Sequence, residues 1–490
     1  MLLFILFTNW LYPGYDLSAT RNIGERIKPP FKHLWTYKAE TDIVTHPVYY
    51  EGILVFGTKE GKMIAINTWN GKIRWKVKLE GRPSEFITIK KGKCHLLTDK
   101  GIYYKVDVKT GRFSICKKNL GITRGGILPY GEKLLYPKGR PYKEFIIEEK
   151  GEKKKISTLQ FIHSMPVVRN KKIYISSNDG KIYAISIETG EKLWEFSTKN
   201  AFRSLNPSSA SYFVFFAPGG FDPYLYAVNK DNGRLAWKYN LLKDIKMRQR
   251  EKIEIATEFI PLPQAEYLVG PPLKRALKAE KLKVSNIAVG NNEVVLIAAY
   301  KGEYLYCINM FSGKVKWCQK LGEFTGKKPV SPIISGNIIY CISSQGKFFA
   351  FDIETGKKIY EEELKGKVKV SPIMCDAKVF LITEKEIYAL QGKSDTYKPD
   401  LLPKVFALYP VYPNPFKNYM MIRFAIPKKS FVKIRIFDVA GRCIEVIAKK
   451  QYEPGYYTIK WKAEKLPAGV YFVTLETGKI FKVRKIVKVK

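Results

Sequence analysis

Histidine is scarce in this chain, with only four residues in 490 (His33, His46, His95, His163). The seven cysteines (Cys94, Cys116, Cys307, Cys318, Cys341, Cys375, Cys443) never fall in a C-x-x-C spacing. With so few soft ligands and none clustered, no metal site is expected. An odd set of widely spaced cysteines does not make a disulfide framework either. Apolar runs long enough to span a bilayer are missing, so no transmembrane domain is expected. A phosphate-cradling P-loop, a G-x-S-x-G elbow and H-E-x-x-H are missing too, which removes the usual sequence routes to nucleotide, serine or zinc hydrolysis. Acids are few beside bases: 45 Asp and Glu against 85 Lys and Arg, for a net charge of +40. That surplus attracts anionic surfaces of any kind and selects none.

What the chain has is core-forming material. Apolar residues make up 46% and aromatics 14%, which excludes a disordered chain, and the length calls for at least two globular units. Residues 1–20 open with an apolar run (Leu2, Leu3, Phe4, Ile5, Leu6) that ends near Pro13-Gly14. The stretch reads as a truncated signal segment, short of a charged start and a small-x-small cleavage site, and it points to export.

A repeat sets the fold. An apolar run, a turn with Gly, a second apolar run and an x-x-Gly-Lys-x-x-Trp element occur at Ala65 to Trp75, Ala184 to Trp194, Ala227 to Trp237 and Cys307 to Trp317. The last residue changes at Ala350 to Tyr360 and Lys105 to Ile115. The turn glycines (Gly71, Gly111, Gly190, Gly233, Gly313, Gly356) are spaced by about 40 or about 80 residues, the period of a four-stranded propeller blade. Residues 121–160 hold four short strand-like runs and read as a worn blade. Residues 242–283 carry Pro261, Pro263, Pro271 and Pro272 among charges and read as an insertion.

The last repeat stops at Tyr388-Ala389-Leu390 without its Trp element, and His33 to Lys38 around Trp35 looks like the missing strand. Both termini then seal the ring. The expectation is an all-β chain: an eight-bladed β-propeller over 31–392, with seven blades as the alternative count. The aromatic at the end of each element is expected to pack between neighbouring sheets.

The unit Ala-x-Asp/Asn-x-x-Thr-Gly-Lys-x-x-Trp resembles the PQQ-like repeat of quinoprotein-like propellers. That group includes pyrroloquinoline quinone dehydrogenases and a non-enzymatic subunit of the outer-membrane β-barrel assembly machine. The resemblance is specific for fold and not for function. A dehydrogenase of the group implies a quinone in the central funnel, a Ca2+ ion and a carboxylate base. Asp99, Asp107, Asp179, Asp231 and Asp352 lie in strands or turns of the repeat itself and read as hairpin formers, so no catalytic residue and no cofactor are assigned.

After a polar linker at 393–404, residues 405–490 show six or seven short alternating strands, a small immunoglobulin-like β-sandwich. Its fixed points are Tyr412-Pro413-Asn414-Pro415-Phe416, Asp438-Val439-Ala440-Gly441-Arg442, Leu466-Pro467-Ala468-Gly469-Val470-Tyr471 and the basic end Lys485 to Lys490. In order and position they resemble the type A C-terminal sorting domain of the type IX (Por) secretion system. The resemblance implies passage across an outer membrane, a partner in the secretion machinery, and an extracellular or cell-surface location.

Charge is spread along the chain, with 67 Lys and Arg against 40 acids in residues 1–404 and 18 against five in 405–490. No motif concentrates it with stacking aromatics, so no specific nucleic acid is expected. Lys246, Arg248, Arg250, Lys274, Arg275 and Lys278, in the insertion, are the candidate contacts for an acidic partner. The expectation is therefore an exported, non-catalytic propeller that binds a protein or glycan. A quinone-dependent dehydrogenase and a basic binder of anionic surface polymers are the alternatives.

Overall fold

The computed structural model describes the chain from Leu11 to Val489, apart from 122–125, 139–143, 199–206, 258–280, 397–405 and scattered shorter stretches. Residues 1–10 of the signal-like segment lie outside the described residues. The chain divides into two compact units, Met1–Tyr397 and Lys398–Lys490. Among the described residues, the first unit contains eight antiparallel meanders built on four strands each. Their inner strands begin at Val48, Pro83, Leu128, Val167, Ser208, Ala288, Ile333 and Ile373, and define blades 1 to 8. The worn blade is real: Leu128–Tyr130, Lys133–Lys138, Glu144–Glu149 and Glu152–Ser157 form one sheet.

Middle strands are buried along their whole length, as in Ile53–Gly57 and Ile338–Ile342, because each is covered by a blade on both sides. Outer strands such as Lys192–Ser197 alternate between buried and exposed. That difference explains why the inner part of each repeat reads as a continuous apolar run.

One contact joins consecutive blades. Trp75 of blade 1 lies against Gly111 of blade 2 and donates from Nε1 to the Val108 carbonyl at 2.7 Å. Trp194 makes the same contact with Gly233 and the Lys230 carbonyl, Trp237 with Gly313 and Met310, and Trp317 with Gly356 and Ile353. The turn glycine is required twice over. Its φ is +68° to +74° at these positions, and a Cβ there would meet the indole at 2.7 to 2.8 Å. Burying each indole contributes about 4–6 kcal/mol before entropy is subtracted.

Closure follows the same rule. Glu25–Lys38 pairs with Glu386–Thr396, and Trp35 stands opposite Ala389 as Trp75 stands opposite Ala65. Trp35 then lies on Gly71 of blade 1 and donates to the Thr68 carbonyl at 3.0 Å. The pairing continues past the expected start of the linker, because Glu25 to Lys28 give Lys393 to Thr396 a partner strand.

Where the tryptophan is missing, other chemistry fills the gap. In the worn blade Lys154 takes the equivalent register position. Its aliphatic stem covers Gly190 and its ammonium donates to the Glu188 carbonyl. Between blades 2 and 3, Lys117 donates to Glu148, which also accepts from the Tyr136 hydroxyl, and within blade 2 His95 Nδ1 bonds the Tyr103 hydroxyl at 2.6 Å. The His95 pKa is pushed down to about 4, first by desolvation and then by Lys105, Lys90 and Lys93. All seven cysteines are free thiols.

The second unit is a sandwich of seven strands among the described residues. One sheet holds Ala407–Leu408, Tyr419–Ile426 and Gly455–Lys462, the other Cys443–Tyr452, Ser430–Phe437, Gly469–Thr477 and Ile480–Lys488. Ile422, Phe424, Ile434, Ile436, Val473 and Leu475 close its core at 0% exposure.

Replacing Trp194 with Ala should cost about 3–5 kcal/mol in denaturant unfolding, and Lys154→Ala much less, because only the indole leaves a large cavity. Equal losses would overturn the docking account. His95 binds its proton less readily in the folded chain than at its ordinary value of 6.5. Stability should therefore fall as pH drops from about 6.5 toward about 4. His95→Gln should flatten that slope in thermal melts at stepped pH, and an unaltered slope would remove His95 from the explanation.

Candidate functional site

Inner strands surround a propeller's axis and turn their unpaired edges toward it, so the axis is where a ligand meets backbone as well as side chains. Here residues of the chain's own N-terminal segment lie along it. Ile89 N of blade 2 donates to the Leu11 carbonyl at 2.9 Å. Ser208 Oγ of blade 5 sits 2.9 Å from the Ala19 carbonyl oxygen. Ile334 N of blade 7 donates to the Arg21 carbonyl at 2.9 Å, and Asn22 and Ile23 pair in parallel with Ile334 and Ser335. The Asn22 side chain fills the space beside Gly290 of blade 6. The described residues of this segment thus touch the inner strands of blades 2, 5, 6 and 7.

Basic groups collect at this place. Arg21 is 3% exposed. Desolvation lowers its pKa to about 10, with Asp16 opposing. The His46 ring stacks on Phe86 at 5.8 Å, and the His46 N–H donates to the Glu85 carbonyl. Desolvation, then the charges of Arg21 and Lys328, push the imidazole down to about 3. Lys328 Nζ reaches Asn286 Oδ1 at 3.3 Å, and its pKa is lowered to about 8 by desolvation and then by Arg21, with Glu85 opposing.

These residues do not fit the quinone and Ca2+ that the dehydrogenase resemblance implies. Leu11, Ala19 and Arg21–Ile23 lie on the inner strands, and the charges of Arg21 and Lys328 oppose a dication. Among the described residues no group of three or more His, Cys, Asp or Glu could hold a metal. The repeat carboxylates serve turns and blade contacts. Asp107 and Asp352 accept the N–H groups of Thr110 and Thr355, Asp99 that of Arg82, and Asp179 that of Lys181, while Asp231 pairs with Lys172 at 2.9 Å.

The insertion opens as a helix, Leu241–Thr257, which the proline-based reading missed. The prolines begin only at Pro261, and the Asn240 side chain caps the first turn through Lys243 N. Leu241 and Ile245 are fully buried, and Gln249 donates to the Tyr300 carbonyl of blade 6. Of the six candidate contacts, Arg248 is bound to Asp244 at 2.6 Å, Lys246 lies 5.7 Å from the Tyr300 ring centroid, and Arg250 is exposed. Lys274, Arg275 and Lys278 lie outside the described residues. The axial residues, by contrast, carried no sequence signal, because the segment is held largely through its carbonyls.

In the sandwich, the motif residues are joints. Asn414 donates to the Lys485 carbonyl and accepts from Val487 N, tying the entry motif to the basic end. Phe416 is buried against Trp461 at 5.9 Å. Asp438 accepts from Ala440 N and Arg442 N within its hairpin, and the Tyr471 hydroxyl bonds the Pro467 carbonyl at 3.0 Å. Tyr412 and Pro413 lie outside the described residues. Of the four acids described in this unit, Asp438 pairs with Arg442, Glu453 with Lys429 and Glu476 with Arg435 and Lys433, while Glu445 accepts from Trp461.

Comparison with known proteins agrees with both units. The family model described as outer membrane protein assembly factor BamB matches residues 31–114, 149–326 and 222–396, and the secretion system C-terminal sorting domain matches 410–490. BamB of Moranella endobia is 25% identical over 221 residues, 41% of this chain and 55% of that protein. The tetrathionate hydrolase of Acidithiobacillus ferrooxidans is 22% identical over 204 residues, 41% of this chain and 36% of that protein. The chain thus spans about half or less of these curated relatives. Quinohemoprotein alcohol dehydrogenase from Comamonas testosteroni shares the fold at TM-score 0.58 and 13% identity, covering 82% of each chain. A europium-containing methanol dehydrogenase does so at TM-score 0.55 and 11% identity, covering 78% of this chain and 98% of its own. No helix among the described residues is long and apolar enough to cross a membrane. The chain belongs to the PQQ-like-repeat propeller family described by BamB, and its type IX sorting domain marks it as a protein exported to the cell surface or the medium.

Proposed function

We propose that this protein is a non-catalytic binding module, carried across the outer membrane by its C-terminal sandwich, whose propeller holds a protein or glycan partner. The observation that carries the reading is that Leu11, Ala19 and Arg21–Ile23 of the chain itself bond to the inner strands of blades 2, 5 and 7, on the axial side where the dehydrogenase resemblance would put a quinone. The repeat's signature side chains are spent on cohesion, each indole on the next blade's glycine. On the propeller, Arg250 is the exposed one among the described members of the candidate contact set, on a helix anchored to blade 6. In the sandwich, the described acids are already engaged internally, so the unmatched lysines and arginines favour an acidic surface on the secretion machinery.

Deleting residues 405–490 should leave the propeller inside the cell envelope, read by fractionation and immunoblot; unchanged surface and medium levels would defeat the delivery role. Incubating the purified chain with pyrroloquinoline quinone and Ca2+ should yield neither a cofactor absorbance nor alcohol-dependent dye reduction. Turnover in that assay would replace the binding reading with the dehydrogenase one.

A further inference from the structure

We propose that the flank of the propeller between blades 6 and 7 carries a binding pocket for a small amphipathic anion, a single ring bearing one carboxylate. The pocket exists because one residue breaks the pattern of the ring of blades. Two positions past the inter-blade tryptophan, the outer strand turns a further side chain into the gap. Tyr37 packs on Phe56 at 5.7 Å, Phe196 on Phe216 at 5.6 Å, and Tyr239 faces Tyr306 at 6.5 Å. Val77 and Ile156 join the apolar clusters at their own gaps. Between blades 7 and 8, where Glu362 holds the position, Phe31 of the closing strand brings its ring against Phe348 and Tyr360 instead. Blade 6 has Gln319 there, opposite Leu305, and its amide is committed to the Gly356 carbonyl at 3.0 Å. The space that a ring takes at the other gaps is left as a half-open cavity of about 190 Å3.

The lining sets the ligand. Leu321, Phe349 and Phe351, each at most 6% exposed, give the cavity an apolar wall. An apolar cavity of about 150 Å3 takes up benzene, so this one admits an aromatic ring with a short substituent. The charged part of the lining is lopsided. Lys347 and Lys358 share one acid, Glu361, whereas Lys320 has Glu323 as its partner. One positive charge is therefore left unmatched among these side chains. Lys358 Nζ lies 6.0 Å from the Phe349 ring centroid, so an ammonium already stands over the apolar wall, where a carboxylate carried on a seated ring would meet it. The site is built from the outer strands and not from the axis. It goes beyond the binding-module reading and depends neither on export nor on the quinone question.

The purified full-length chain should bind para-fluorophenylacetate saturably in a fluorine NMR titration, with a dissociation constant at or below about 1 mM. Para-fluorophenylacetamide, of the same shape without the charge, should bind at least about fivefold more weakly. Gln319→Phe supplies the ring that blade 4 has at Phe196, and it should abolish binding while the melting temperature stays level or rises. Glu361→Gln releases both lysines and should tighten binding about twofold or more, whereas Lys358→Gln should loosen it by a similar factor. Failure to saturate, equal affinity for acid and amide, or binding untouched by Gln319→Phe would overturn the proposal. Should Gln319→Phe not fold, the two charge variants decide: opposite shifts support the site, and shifts in one direction or none overturn it.

Discussion

An indole laid on a glycine of the next sheet is the contact on which this molecule depends. Each blade alone is a four-stranded meander with two apolar faces, and such a sheet is not stable by itself in water. Stacking around the ring buries both faces, and the Trp contact fixes how far each sheet is rotated against its neighbour. The glycine's positive φ makes the turn, its missing Cβ admits the ring, and the carbonyl three residues earlier accepts the indole N–H. One short sequence element thus specifies a hairpin and an interface together.

That coupling is why so much of the fold could be read from the sequence. Trp75, Trp194, Trp237 and Trp317 gave the period, and the orphaned Trp35 disclosed the closing strand before any coordinate did. The reading weakens where the interface changes chemistry. Lys154 does the work of a tryptophan with a methylene stem and one hydrogen bond, a replacement that no pattern of aromatics would reveal. The helix at Leu241–Thr257 was obscured by prolines that belong to the residues after it. The axial segment was hidden for a different reason. A chain held through its carbonyls places little demand on side-chain identity.

The sandwich shows a related limit. Its recognisable motifs brought the domain to notice, yet Asn414, Phe416, Asp438 and Tyr471 are occupied in holding strands, turns and the final basic segment together. Such residues persist because the module must fold, whatever it docks with. Selectivity for a partner must lie in exposed side chains between those fixed points, where this sequence has a large surplus of positive charge and few acids left uncommitted.

Sealing the ring with Glu25–Lys38 against Glu386–Thr396 has a kinetic consequence. The closing strand finds its partner only after about 350 intervening residues exist, so closure is a long-range encounter rather than a local hairpin. Until that encounter the terminal blades keep raw edges. The ring behaves as a clasp that fastens last, which gives a translocating chain a long interval in which it is still threadable.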